Sequence, residues 1–141
     1  MKKYIILGLM VLIAAVSISA ISSVDVNDQI VDGLNSTSDI NQALNDTQIN
    51  NKSIFLIFDQ DGCYYCDILK QNVLTNSDVQ KELNENYNVV FVDINEQYGL
   101  AANYQVMGTP TCVVIDSNGH EIARIDGYLP TDEFLDELKE I

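Results

Sequence analysis

The sequence predicts an α/β domain built on a four-stranded mixed sheet with helices on both faces. Three observations carry that expectation. Continuous apolar runs at 54–58, 89–92 and 111–115 alternate with stretches of helical periodicity, the pattern of sheet strands buried under helices on both sides. Asp116-Ser117-Asn118-Gly119 places an Asn-Gly pair between two strand-like runs, a strong hairpin signal that adds one antiparallel partner. From Thr131 onward, Phe134, Leu135, Leu138 and Ile141 fall on one face of an amphipathic helix.

Each element follows from local pattern. Ile40, Ala43 and Leu44 share a helical face over 38–45, with Ser38 or Asp39 available as a cap. Residues 53–58 form an apolar and aromatic run bounded by polar residues, a strand buried on both faces. A turn at 59–62 leads into a helix whose stripe is Cys66, Leu69, Val73 and Leu74. Ser77 and Gln80 stand three apart, as a capping box requires, and open a short helix that ends near Asn86. A second buried strand covers 88–94, and a polar-opening helix with Leu100, Ala101 and Tyr104 on one side covers 95–105. The third strand is 111–115, and 120–125 alternates as the returning strand of the hairpin. Strands separated by helices are expected to be parallel neighbours, and the hairpin supplies the antiparallel pair.

The 141 residues suffice for one domain, and 47% apolar content supports a packed core. Lys and Arg total 7 against 21 Asp and Glu, a formal net charge of −14. Such a surface repels phosphate backbones and anionic lipid headgroups, which excludes nucleic acid as an expected partner. Its simplest role is solubility.

Lys2 and Lys3 precede an apolar run from 4 to 21 broken only by Gly8, Ser17 and Ser19. Basic start and apolar run read as a secretory signal, with small residues at Ala20 and Ser22 for cleavage. The run also approaches the roughly 18–20 apolar residues that span a bilayer, so an uncleaved anchor with Lys2 and Lys3 held inside stands close behind as the alternative. Both place residue 22 onward outside the cytoplasm. Residues 22–37, rich in Ser, Asp, Asn and Thr, read as a polar linker, which leaves 38–141 as the domain. Sequons begin at Asn35, Asn45 and Asn51, in a stretch where Asn is abundant.

The chemistry sits at Cys63-Tyr64-Tyr65-Cys66. A C-x-x-C at a helix start sets its first sulfur against free backbone N–H groups, which stabilise a thiolate. Cys63 is therefore the candidate nucleophile, and Cys66, one turn on, can attack the mixed disulfide and release the partner. Zinc binding competes, because C-x-x-C is half of a common zinc site. The only other soft or imidazole ligands are Cys112, inside an apolar strand, and His120, beyond a hairpin turn, so no metal is expected. A structural disulfide is a further alternative, though a loop this small stabilises little. Cys112 reads as a small buried hydrophobe and His120 as solvated. Tyr64 and Tyr65 either contact substrate or simply suit a half-exposed helix start.

Over residues 38–141 the chain resembles the thioredoxin-like superfamily. The resemblance rests on the strand at 54–58, on Cys63-Tyr64-Tyr65-Cys66, on Tyr104-Gln105-Val106-Met107-Gly108-Thr109-Pro110-Thr111, and on Gly127-Tyr128 before the last helix. It implies a redox-active Cys63–Cys66 disulfide, a cis-proline at Pro110 facing that pair, and a peptide platform at Thr109 and Pro110. A Pro ahead of a buried strand also suits its first position on backbone grounds alone. The implied activity is that of a thiol–disulfide oxidoreductase acting on protein thiols or disulfides, without cofactor, as a monomer, with a membrane electron carrier as a candidate partner. A non-catalytic thioredoxin-like binding or scaffold module is the alternative.

The departures shape the expectation. Where the family carries a buried Asp before the motif this chain has Ile57, and Phe91 stands near the place of a common lysine. The usual Trp before the first Cys and Pro before the second are replaced by Gly62 and Tyr65. Asp59, Asp61 and Asp67 surround the motif, most simply as solvated loop acids. Negative charge there raises the Cys63 pKa while the helix end lowers it. The helix end is expected to dominate, and the acids to keep the pair from being a strong oxidant.

Overall fold

A computed structural model describes residues 30–141. The apolar segment at 1–21 and the beginning of the expected linker lie outside those residues. The elements are β1 (Ser36–Thr37), α1 (Ile40–Asn50), β2 (Ser53–Asp59), α2 (Tyr64–Ile68) continued by a π-helical turn (Leu69–Val73), and α3 (Ser77–Asn86). They continue with β3 (Tyr87–Asp93), α4 (Tyr98–Asn103), β4 (Thr111–Ile115), β5 (Glu121–Asp126) and α5 (Thr131–Glu140). No helix among the described residues is long and apolar enough to cross a membrane.

The sheet order is β1-β3-β2-β4-β5, five strands rather than four. The extra strand comes from the stretch read as linker. Val31 and Leu34 are buried there, and Ser36 and Thr37 pair in parallel with Val89 and Val90. Polar composition hid this role because α3 side chains satisfy the backbone of the segment. Asn84 donates to Gly33 O at 2.9 Å and accepts from Asn35 N at 2.8 Å, and Gln80 Nε2 donates to Asp32 O at 2.6 Å. Gly33 has φ +83°, which calls for glycine, and a Cβ there would displace the Gln80 amide that holds Asp32.

Gln80 is therefore not available for a capping box. The cap of α3 is Asn76, whose Oδ1 accepts the N–H groups of Asp78 and Val79. Asp39 caps α1 in the same way. That helix runs to Asn50, past the expected end at 45, because its inward residue in the second half is polar. Thr47 is 3% exposed, donates to Ala43 O and accepts from Asn88 Nδ2.

β2 lies parallel to β3 but antiparallel to β4, and β4 is antiparallel to β5. Two antiparallel pairings replace the single one expected. The helix expected over 95–105 is only Tyr98–Asn103. Six helical residues rise about 9 Å, whereas a seven-residue strand spans about 23 Å. The chain thus stays at the same end of the sheet, and β4 starts where β2 and β3 stop. The other strands shift from expectation by single residues.

Alternation along β2 divides the core. Phe55 and Ile57 join Leu69, Val73, Leu83, Phe91, Cys112 and Phe134 under α2, α3 and α5. Ile54, Leu56 and Phe58 join Val90, Val92 and Val113 under α1 and α4. Asp59, two residues past Ile57, falls on the α2 face.

Candidate redox site

The site stands at the end of the sheet where β2 ends and β4 begins. Cys63 and Cys66 form a disulfide with Cα atoms 5.2 Å apart. Gly62, at φ +75° with open space around it, makes the turn that aims Cys63 at the helix start. Cys63 is the N-cap of α2, and its Sγ accepts the Cys66 backbone N–H at 3.2 Å. A helix end therefore directs a donor at the first sulfur, as thiolate stabilisation requires. Cys63 is partly exposed, whereas Cys66 is 2% exposed and packed into the core.

Register brings the proline loop to this pair. Phe58 is opposite Thr111 in the β2–β4 ladder, so the preceding Pro110 reaches the end of β2 just before the motif. The Thr109–Pro110 peptide is cis, and Pro110 is buried. Gly127 N–H donates to Pro110 O at 2.9 Å, tying the loop to the end of β5. Thr109 Oγ1 is buried with no hydrogen-bond partner among the described residues. Beyond the loop, a cleft of about 630 Å³ is lined by Met107, Thr109, Pro110 and Arg124 but by neither cysteine. Met107 is 96% exposed.

An aromatic cluster flanks the disulfide. Tyr64 and Tyr65 are both exposed, with ring centroids 5.3 Å apart, and Tyr65 stacks on Tyr128 at 5.8 Å. The stack joins the motif helix to the segment after Gly127. Tyr128 is recognisable in the sequence by its place after Gly127, but no spacing rule brings it to the motif.

The three acids part company. Asp61 and Asp67 are exposed, as loop and helix-surface acids should be. Asp59 is a correction: its side chain is only 17% exposed, and it pairs with Lys70 at 2.7 Å. Burial pulls the Lys70 pKa down, but the hydrogen bond and charge of Asp59, helped by Asp67, outweigh that and leave it above the ordinary value. Eleven residues separate Asp59 from Lys70, so no local spacing rule exposes the pair in sequence.

Asp59, Cys63 and Cys66 bring three ligand-type atoms within 4.8 Å of one another. Neither Cys112 nor His120 joins them among the described residues. Cys112 is 1% exposed on β4, and burial pushes its thiol up to about 12. His120 lies on the exposed hairpin with Nδ1 3.4 Å from Asp116.

A C-x-x-C disulfide at a helix start, beside a proline loop on a β-α sandwich, defines the class, and residues 40–141 match the thioredoxin-like domain family, to which the chain belongs. Its fold and cysteine pair are those of a thiol–disulfide oxidoreductase. Among curated proteins it is 30% identical over 108 residues to the thiol:disulfide interchange protein DsbD of Haemophilus ducreyi, covering 72% of this chain and 18% of that one. The chain thus spans under a fifth of that relative. It is also 30% identical over 83 residues to the SPbeta prophage-derived thioredoxin-like protein YosR of Bacillus subtilis, covering 57% of this chain and 92% of that protein. Among solved structures, a thioredoxin from Thermus thermophilus superposes with a TM-score of 0.69 and 30% identity, over 77% of this chain and 86% of the other.

Proposed function

We propose that this protein is an extracytoplasmic thiol–disulfide oxidoreductase that exchanges disulfides with protein substrates. The observation that carries the reading is the Cys63 sulfur capped by the Cys66 N–H at the sheet end shared with Thr109 and Pro110.

In the reduced state Cys63 attacks as the thiolate. It belongs to the more exposed of the two cysteines, and the helix-start N–H stabilises its charge. A substrate disulfide opens, one of its sulfurs bonds to Cys63 Sγ, and the other leaves with the electron pair. Cys66 then attacks Cys63 Sγ, re-forms the intramolecular disulfide and frees the second substrate sulfur. Run backward, the same steps oxidise a dithiol.

Thr109 and Pro110 form the platform for the substrate chain. No hydrogen bond engages the Thr109 backbone among the described residues, which leaves its amide and carbonyl free for an extended peptide. Tyr64 and Tyr65 offer exposed aromatic surface beside the disulfide.

Asp61 and Asp67 oppose thiolate formation at Cys63, while Lys70 offsets Asp59. We accordingly expect the potential of the pair to lie on the reducing side of strongly oxidising proteins. The basic start and apolar run at 2–21 support a position outside the cytoplasm, with a membrane electron carrier as the source of electrons.

The test is insulin reduction by dithiothreitol, with equilibration of the pair against glutathione buffers. Catalysed turbidity that Cys63→Ser abolishes supports the reading. No acceleration over dithiothreitol alone would sink it.

A further inference from the structure

Reduction of a substrate requires the Cys66 thiol to lose a proton as its sulfur attacks, and Cys66 is 2% exposed. Water cannot collect that proton freely. The nearest carboxylate belongs to Asp59, one of whose oxygens lies within 4.8 Å of both sulfurs.

Its setting is built. Asp59 ends β2 on the face that looks at α2. Its Oδ1 accepts Gln60 N–H at 2.7 Å and its Oδ2 accepts the Lys70 ammonium at 2.7 Å. Lys70 also stands 3.5 Å from Asp67. Asp59 also lines a hollow of about 250 Å³ together with Asp61, Asp93 and Glu96. Asp93 is its register neighbour on β3, with one carboxylate oxygen engaged by Asn95 N–H. The proline loop contributes no charge. Asp59 therefore bridges the enclosed sulfurs and an acidic, water-accessible hollow. Ile57, the next residue inward on the same face, carries no titratable group.

We propose that Asp59 handles the proton of the Cys63–Cys66 pair, with Lys70 as the cation that holds its carboxylate in place. On reduction of a substrate, the Cys66 thiol gives its proton to Asp59 as Cys66 Sγ bonds to Cys63 Sγ. The Cys63–substrate S–S bond breaks, and its electron pair leaves on the substrate sulfur, which takes a proton from solvent. Two electrons pass from the cysteine pair to the substrate, and Asp59 returns its proton through the hollow. Oxidation of a dithiol reverses each transfer.

The proposal rests on the oxidoreductase reading, and a two-step probe separates the two. Reduced protein is mixed with one equivalent of dithiobis-nitrobenzoate in stopped flow. Attack by Cys63 releases the first nitrothiobenzoate and resolution by Cys66 releases the second. Asp59→Asn is expected to leave the first release unslowed and to slow the second on the order of 10²-fold near neutral pH. The residual second phase should rise about tenfold per pH unit as hydroxide takes over. Asp59→Glu restores most of it. Lys70→Met keeps the acid and removes the cation that holds it in place, so it slows the second phase while leaving the first release unslowed. This variant reports even where Asp59→Asn does not fold. An unchanged second phase and pH profile in the folded variants would overturn the role of Asp59. A wild-type protein that releases no first equivalent would overturn the oxidoreductase reading as well.

Discussion

Cys112 offers a pH test whose size follows from its burial. Its thiol is enclosed on β4, where burial raises it from 9.0 to about 12. In the unfolded chain it ionises at the ordinary value. Between those values the folded state holds more protons, so stability falls as pH rises. Below about pH 8 both states are protonated and the term vanishes. Near pH 10.5 the difference amounts to about 2 kcal/mol, from roughly 1.4 kcal/mol per pH unit over the interval already crossed. The assay is urea unfolding of the oxidised protein at both pH values, since the Cys63–Cys66 disulfide keeps those sulfurs from titrating. Cys112→Ala costs stability at every pH by leaving a cavity, but its loss between the two pH values should be smaller than wild type by that amount. Tyr87, Tyr104 and Lys70 also sit above their ordinary values, but they are common to both proteins and cancel. Identical pH dependence in the two proteins would refute the reasoning.

Other expectations are as direct. Leu34→Ala should cost about 2–5 kcal/mol in urea unfolding, because Leu34 is fully enclosed; a linker residue would cost almost nothing. Asn76→Ala should cost about 1 kcal/mol through loss of the α3 cap, while Ser77→Ala should be nearly neutral. Tyr65→Ala should raise KM for a protein disulfide more than it changes the dithiobis-nitrobenzoate rate, since the ring offers surface and no proton; equal effects on both would count against a substrate-contacting role.

The central part of the fold was legible because its strands are continuous apolar runs. The burial of 54–58, the Asn-Gly hairpin and the Phe134, Leu135 and Leu138 stripe of α5 were plain in the one-dimensional pattern, whereas Ile141, expected on that stripe, lies past the helix end and is exposed. The first strand was not, because only Val31 and Leu34 enter the core there and the remaining contacts are amide side chains from α3. The capping box failed for a related reason: Gln80 had a tertiary partner in Asp32 that no local rule reveals. The direction of β4 depended on the length of a single short helix.

The candidate site was half visible. Cys63 and Cys66 were marked by residue type and spacing, Thr109 and Pro110 by the resemblance to the thioredoxin-like superfamily, and the ladder register sets the proline loop at the end of β2 beside the motif. Asp59 could be listed among the acids near the motif, but its separation from Asp61 and Asp67 required strand alternation and the π-helical turn that carries Lys70. The stack of Tyr65 on Tyr128 joins residues 63 positions apart, beyond the reach of any periodicity.

The most direct test is trapping. Cys66→Ser protein, reduced and mixed with a disulfide-bearing substrate, should accumulate a covalent adduct that dithiothreitol reverses, with mass spectrometry placing the bond at Cys63. Absence of an adduct, or its location at Cys112, would contradict the assignment of Cys63 as the attacking sulfur.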